Sequence, residues 1–107
     1  MDLKQYQIVL VNLDPTVGSE IKKTRPCIVI SPDEMNKYLN TIVIAPITTT
    51  SKQYPTRVEI KHDNKIGWIV LDLIRTIDKQ RIIKDLGILS KPEIKEVKYI
   101  LKETFVD

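Results

Sequence analysis

A carboxylate, hydroxyl groups and a guanidinium group occur close together in the segment 18–26, which reads Gly-Ser-Glu-Ile-Lys-Lys-Thr-Arg-Pro. Glu20 lies in what the sequence indicates is a flexible loop, where a carboxylate can reach a substrate. Arg25 lies where the loop becomes a strand, so its backbone is anchored while its planar head projects. A carboxylate can accept a proton, and a guanidinium fork matches a phosphate. The alternative is a surface hairpin with a salt bridge between Glu20 and Arg25, and the spacing leaves both interpretations open.

Two further places could contribute to a site. The tract 48–51, Thr-Thr-Thr-Ser, could donate hydrogen bonds to phosphate oxygens or base edges, or it could be the end of a strand with satisfied hydroxyls. Asp72 interrupts an apolar run, so it is either the exposed residue of an alternating strand or a site carboxylate. The residues alone do not decide between these interpretations.

Several classes of site are excluded by counting residues. The chain has one histidine, His62, which lies in a predicted turn, and one cysteine, Cys27, in an apolar strand where a thiol is usually inert. These two cannot form a structural zinc site or a two-histidine ribonuclease. The three glycines are isolated, which excludes a glycine-rich phosphate loop. If the substrate is RNA, its own 2′-OH is the nucleophile, and a carboxylate and an arginine can act without metal. We expect neither metal nor cofactor.

The charge balance permits a polyanionic partner without requiring one. The net charge is +3, and cations cluster at 22–25 and at 75–84. Each cluster could instead be a solvated face. The first residues lack the layout of a signal peptide, and no apolar stretch approaches the ~20 residues that span a membrane, so we expect a cytoplasmic protein.

The elements that must position these residues are mostly short strands. The pattern predicts strands at 7–13, 26–30, 41–47, 56–60 and 68–74, with a possible short one at 76–77. The 26–30 strand is expected in the sheet interior, and Pro46 indicates a strand margin or a bulge. Polar residues 62–65 indicate a turn between strands.

Two helices are predicted by capping patterns. Ser31 is expected to cap a helix of about two turns that ends near Leu39, with Pro32 in its first position and Glu34 completing a capping box. Ser90-Lys91-Pro92-Glu93 repeats the pattern. The apolar face behind it consists of Ile94, Val97, Ile100, Leu101 and Phe105. These elements do not alternate as βαβ units do, so we predict one domain, 1–107, of the mainly β (α+β) class: a closed or half-closed antiparallel barrel with a packed helix.

Three segments together resemble the MazF/PemK family, of which Kid is another member. The first is 9–31, notably Asn12-Leu13-Asp14-Pro15, Gly18-Ser19-Glu20 and the run from Lys23 to Ser31. The second is Ala45-Pro46-Ile47-Thr48-Thr49. The third runs from Trp68 to Asp72 and on from Ile74 to Arg81. The three occur in the family's order and spacing and cover most of the chain.

This resemblance implies an SH3-like barrel of the CcdB/PemK type with a C-terminal helix, acting as a homodimer. It implies sequence-specific cleavage of single-stranded mRNA to 2′,3′-cyclic phosphate and 5′-hydroxyl ends, as the toxin of a type II toxin–antitoxin system. The expected protein partner is a MazE-like antitoxin whose acidic tail occupies the RNA groove.

Residue by residue, Arg25 matches the family's catalytic arginine, Thr48 its catalytic threonine, and Glu20 the loop carboxylate assigned to proton transfer. Asp72 aligns with an aspartate proposed as catalytic in the Kid-like branch, but that branch has an arginine where this chain has Val70. Arginine is protonated at neutral pH, so charge stabilisation and proton donation suit it better than base work. The remaining residues that we expect to bind RNA are Ser19, Lys22, Lys23, Thr49, Thr50, Arg75, Lys79 and Arg81.

The chain departs from the family pattern at two places. Tyr6-Gln7 stands where the family has glycine and an acidic residue, which affects how the first strand begins. Leu73 replaces a glutamine near the dimer or substrate surface, which is expected to alter base preference. Two rival functions remain: a CcdB-like gyrase poison, which shares the barrel but needs no Glu20–Arg25–Thr48 cluster, and a barrel that binds RNA or an antitoxin without cutting.

Overall fold

The computed structural model describes residues 2–13, 24–50 and 54–106. In chain order, the described part forms the strands β1 (Gln7–Asn12) and β2 (Thr24–Val29), the helix α1 (Asp33–Tyr38), the strands β3 (Thr41–Thr48), β4 (Arg57–His62), β5 (Lys65–Val70), β6 (Arg75–Asp78) and β7 (Ile82–Ile88), and the helix α2 (Lys91–Phe105). Two 3₁₀ turns, Leu71–Leu73 and Lys79–Arg81, flank β6.

The strands form one curled antiparallel sheet in which β3 is shared by two ladders. The order is β4-β5-β3-β2-β1-β7, and β6 also pairs with the first half of β3. The second half of β3 pairs with β5. The sheet therefore divides at β3: one part runs from β7 through β1, β2 and the first half of β3 to β6, and the other part consists of the second half of β3 with β5 and β4. The predicted antiparallel barrel with a packed helix is confirmed as a half-barrel.

Alternation along the central strands divides the apolar side chains between two cores. In β1, Val9 and Val11 join Cys27 and Ile44 inside the curl, while Ile8 belongs to a second core. The second core lies under α2, whose Val97 is fully buried. Because consecutive residues of a strand point to opposite faces, both faces of the β1–β2–β3 region are covered.

The C-terminal helix begins as the sequence predicts. The Ser90 hydroxyl accepts a hydrogen bond from the Glu93 N–H (3.3 Å), and the Glu93 carboxylate accepts one from the Ser90 N–H (3.0 Å). This is the predicted capping box. The prediction that Phe105 belongs to the buried face is wrong: it is the last residue of α2, and its side chain is 53% exposed.

The predicted start of the short helix is wrong in detail. Pro32, not Ser31, is the N-cap of α1, and no side chain caps the helix. Ser31 is buried and its hydroxyl contacts Asn36 and accepts a hydrogen bond from the Val43 N–H (3.0 Å). Its hydroxyl is used to join α1 to β3, so it is not available for the capping box with Glu34. The helix ends at Tyr38, close to the predicted Leu39.

Three strand predictions also need correction. Pro46 lies inside β3, neither at its margin nor at a bulge, where β3 changes partner from β6 (last pair at Ile44) to β5 (first pair at Ile47). The missing N–H of proline falls in that gap between ladders. The strand predicted to run to Ile74 ends at Val70 and continues as a 3₁₀ turn.

The third correction is β7, which the sequence pattern does not predict. It pairs with β1 through two register shifts, and most of its side chains are exposed. A strand that is half solvated on both faces shows no clean apolar alternation, so its sequence carries little signal.

Candidate active site

The open end of the curled sheet contains a groove of about 700 Å³. It is lined by Leu13, Thr24, Arg25, Ile44, Pro46, Asp72, Leu73, Ile74 and Arg75. The floor is formed by β2, β3 and the start of β6, and the 3₁₀ turn 71–73 forms one wall. Three of the residues predicted from the sequence (Arg25, Asp72 and Arg75) therefore share one groove.

Arg25 is anchored as the sequence indicates. It lies in β2, paired with Val11 of β1, and two residues before the fully buried Cys27 on the same face. The strand leaves the core at this point, and Arg25 is exposed. The backbone of Arg25 is fixed by strand pairing, while its exposed guanidinium group can bind an anion.

A second arginine lies across the groove. Arg75 starts β6 and pairs with Ile44 of β3. Both guanidinium groups act on the buried Cys27 thiol, since burial raises its pKa to about 12 and the charges of Arg25 and Arg75 oppose that rise. Two cations that influence one buried sulfur give this end of the groove a positive character, which favours a phosphate.

Asp72 is held by residues far away in sequence. It lies in the 3₁₀ turn after β5, where its Oδ1 accepts a hydrogen bond from the Thr56 hydroxyl (2.9 Å) and lies 3.8 Å from Nε of Arg57. Asp72 is therefore not the exposed residue of an alternating strand, which was one of its two interpretations. The roles of Thr56 and Arg57 are not predicted from the sequence, because their contacts with Asp72 depend on the 3₁₀ turn that follows β5, where the sequence pattern predicts a continuing strand.

Thr48 ends β3 on the face that also carries Ile44 and Pro46. The β2–β3 register pairs Cys27 with Pro46. Arg25 and Thr48 lie beyond this last pair, each two residues further along its strand, and because side chains alternate they lie on the same face as Cys27 and Pro46. The Thr48 hydroxyl donates to the Thr50 carbonyl (3.1 Å) and accepts from the Thr50 N–H (3.3 Å), which closes a small turn.

The other residues predicted to bind RNA are distributed differently. Thr49 points to the opposite face and lines a small apolar cavity with Pro26, Ile47 and His62, while Thr50 is exposed beside Thr48. Lys79 lines a separate cavity of about 310 Å³ near α1. Arg81 donates a hydrogen bond to the Asn12 carbonyl (3.3 Å) at the end of β1.

Four of the predicted site residues lie outside the described ranges: Ser19, Glu20, Lys22 and Lys23. Most of the predicted loop lies there too, and so does Glu20, one partner of the alternative salt bridge with Arg25. Within the described ranges, no three His, Cys, Asp or Glu side chains come together as a metal site. No helix among the described residues has the length and apolarity needed to cross a membrane.

Comparison with known proteins gives consistent matches over nearly the whole chain. The family model described as PemK-like, MazF-like toxin of type II toxin–antitoxin system matches residues 4–105. The chain is 37% identical over 101 residues to "Endoribonuclease MazF" of Staphylococcus saprophyticus, covering 89% of this chain and 84% of that protein.

Two solved structures show the same fold. The crystal structure of a MazE-MazF complex from Deinococcus radiodurans (Form-II) matches with a TM-score of 0.82 at 25% identity, covering 96% of this chain and 95% of that one. An endoribonuclease in complex with its cognate antitoxin from a mycobacterial species matches with a TM-score of 0.77 at 19% identity, covering 95% and 91%.

Proposed function

Because this chain belongs to the PemK-like, MazF-like toxins of type II toxin–antitoxin systems, we propose that it is an endoribonuclease that cuts single-stranded mRNA at a specific sequence without a metal ion. The observation that carries the proposal is the groove in which Arg25, Arg75 and Asp72 meet, with Thr48 on the adjoining strand and the same face. The family match over 4–105 supports one toxin domain spanning 1–107.

The proposed reaction uses the RNA's own nucleophile. The 2′ oxygen attacks the adjacent phosphorus, the bond from phosphorus to the 5′ oxygen breaks, and the products are a 2′,3′-cyclic phosphate and a 5′-hydroxyl. A base must take the proton of the 2′-OH, and an acid must protonate the leaving 5′ oxygen. Negative charge grows on the non-bridging oxygens as the bonds change, so preorganised donors there lower the barrier.

Arg25 is assigned to the developing charge. Its head is exposed in the groove, and Arg75 adds a second positive charge on the opposite wall. The Arg25 guanidinium can donate two hydrogen bonds to a phosphate at once and can supply the proton for the leaving oxygen. Thr48 is assigned a supporting hydrogen bond from its hydroxyl.

Two carboxylates compete for the role of base. Glu20 matches the family's loop carboxylate and is our first choice, although it lies outside the described residues. Asp72 lies in the groove, but one of its oxygens already meets Thr56 and Arg57. A base needs a free oxygen within hydrogen-bond reach of the 2′-OH, so we assign Asp72 a secondary, electrostatic part.

The partners follow from the family. The Deinococcus and mycobacterial relatives are described in complexes with MazE or with a cognate antitoxin. We propose that this chain is likewise a homodimer that binds a MazE-like antitoxin, whose acidic tail covers the Arg25 and Arg75 groove by charge complementarity. Because mRNA is the proposed substrate, we also propose that the protein acts in the cytoplasm.

The test is digestion of a mixed-sequence single-stranded RNA by the purified protein in EDTA, with the ends mapped. We expect cuts at one short motif that leave cyclic phosphate, and the same rate when magnesium replaces EDTA. Intact RNA together with inhibited gyrase would support the CcdB-like rival. Intact RNA that is nevertheless bound would support a non-catalytic barrel.

A further inference from the structure

A second cavity lies beside the groove and has no part in the cleavage described above. Its volume is about 540 Å³. It is lined by Tyr54, Pro55, Arg57, Val58, Glu59, Trp68, Glu96 and Ile100. Its lining comes from the start of β4, from β5 and from α2, which contributes Glu96 and Ile100. Trp68, the only tryptophan of the chain, is half-buried there.

The cavity continues the row of side chains that crosses the proposed active site. Trp68 of β5 lies opposite Thr48 of β3, and Glu59 of β4 lies opposite Trp68. Since paired residues share a face, Thr48, Trp68 and Glu59 form one line across three adjacent strands. Arg25 lies on the same face of β2, two residues beyond the last β2–β3 pair, Cys27 with Pro46.

A second contact joins the two cavities. Arg57 lines the cavity, and its Nε lies 3.8 Å from Oδ1 of Asp72, which lines the groove. The guanidinium group also lies over the Tyr54 ring, 4.9 Å from its centroid. The pair of Arg57 and Asp72 is therefore a wall that the groove and the cavity share.

The chemistry of the lining suits a base and not a phosphate. Glu59 and Glu96 are carboxylates, which repel the RNA backbone but accept hydrogen bonds from base N–H groups such as N4 of cytosine. The indole ring of Trp68 offers a stacking surface to any base. The Tyr54 ring is already covered by Arg57, which leaves Trp68 as the stacking residue.

We propose that this cavity binds a nucleobase of the RNA substrate next to the scissile phosphate, with Trp68 stacking on the base and Glu59 accepting a hydrogen bond from its amino or imino group. The inference rests on the proposed function, because the cavity is linked to the cleavage site by the pairing of Trp68 with Thr48 and by the contact of Arg57 with Asp72. It makes Trp68 and Glu59 determinants of affinity and of base preference.

The first test uses the fluorescence of Trp68, which reports on this residue alone because the chain has no other tryptophan. The protein is mixed rapidly with excess mixed-sequence single-stranded RNA, and the tryptophan signal is read before turnover. We expect the fluorescence to fall as the base stacks on the indole, with a rate that rises with RNA concentration.

The second test compares variants by cleavage kinetics and by sequencing of the cut sites. Trp68→Leu removes the ring and should raise KM about tenfold with kcat nearly unchanged, whereas Trp68→Phe keeps a ring and should raise KM by no more than about threefold.

Glu59→Gln changes a pure acceptor into a group that also donates. It should slow cutting at the parent's preferred motif about tenfold and change the preferred base at one position. Glu34→Gln, at an exposed glutamate of α1, is the matched control and should change neither.

The outcomes separate the two proposals. If the parent protein leaves the RNA intact, the proposed function fails, whatever the cavity does. If the parent cuts RNA but shows no early fluorescence change, and Trp68→Leu and Glu59→Gln cut the same motif with the parent's KM, the cavity does not bind a base and the nuclease assignment remains.

Discussion

Thr48 and Trp68 lie directly opposite each other on the antiparallel strands β3 and β5. A small hydroxyl and a large indole therefore share one face of the sheet, on the second half of β3, which pairs with β5 where the first half pairs with β6. The strand that carries the proposed catalytic threonine thus also sets the neighbouring base cavity in place, which links the position of the cut to the choice of base.

Replacement of Thr48 by valine tests the hydroxyl at nearly constant shape. We expect Thr48→Val to slow cleavage about 100-fold, the usual effect of losing one preorganised donor at a developing charge. Thr48→Ser should retain most of the activity. The matched control is Thr41→Val at the other end of β3, which should cut at the parent's rate. Single-turnover cleavage measures all three, and a Thr48→Val variant as fast as the parent would remove this hydroxyl from the reaction.

Replacement of Arg25 tests the charge in the groove. The side chain is exposed, so Arg25→Ala should leave the free energy of unfolding within about 0.5 kcal/mol of the parent. Cleavage should fall by about 1,000-fold or more, since both the phosphate clamp and the proton donor are lost. Arg25→Lys keeps the charge without the fork and should fall between the two.

The control for Arg25 is Lys102→Ala, which removes another exposed cation, from the last turn of α2. Circular dichroism checks the fold and single-turnover kinetics the activity. Arg25→Ala cutting as well as Lys102→Ala would show that this guanidinium group lies outside the active site.

The thiol of Cys27 is expected to take no part in the reaction. The residue is fully buried between β1 and β3, and burial raises its pKa to about 12 against the opposing charges of Arg25 and Arg75. At neutral pH it is a protonated thiol without access to solvent. A thiol reagent should therefore label the protein only after unfolding in urea, and Cys27→Ala should cut RNA at the parent's rate while losing about 1 kcal/mol of stability. A folded Cys27→Ala variant that has lost cleavage would contradict this.

The sequence predicts the elements whose apolar pattern is periodic and those whose caps are local. Val9, Val11 and Cys27 alternate with residues of the other face, and Ser90 and Glu93 form a capping box within four positions, so both are visible in the sequence. β7 is missed because Ile83 and Ile88 are exposed and break the alternation. Ser31 misleads because its hydroxyl bonds across to β3, a contact that local spacing cannot show.

The candidate site divides in the same way. The place of Arg25 at the start of a strand is predictable from the boundary between loop and strand, and the family resemblance adds Thr48 and Asp72 as candidates. The contacts that hold Asp72, from Thr56 and Arg57, depend on how β4 and the 3₁₀ turn meet in three dimensions. The cavity around Trp68 and Glu59 needs the β4–β5 register, which only the structure supplies.

The Glu93 carboxylate joins the start of α2 to β4 and should make stability depend on pH. One oxygen accepts a hydrogen bond from the Ser90 N–H (3.0 Å) and the other from the Lys61 N–H (2.9 Å). Burial alone would raise the pKa of Glu93, but the two backbone N–H groups, the Ser90 side chain and the charge of His62 together outweigh it, and the pKa lies below its ordinary value of 4.5. A carboxylate with a lowered folded pKa stabilises the protein above its unfolded pKa, and this contribution is lost as the pH falls through the folded pKa.

Glu93→Ala should therefore cost about 1–2 kcal/mol at neutral pH, because two N–H groups lose their acceptor. The difference from the parent should shrink as the pH falls well below 4.5, where the parent's carboxylate is also protonated. Urea unfolding at both pH values measures the free energy, and Glu103→Ala, at an exposed position of the same helix, should change it by less than about 0.5 kcal/mol at either pH. A Glu93→Ala cost that is the same at both pH values would show that the charge of this carboxylate does not stabilise the junction of α2 and β4.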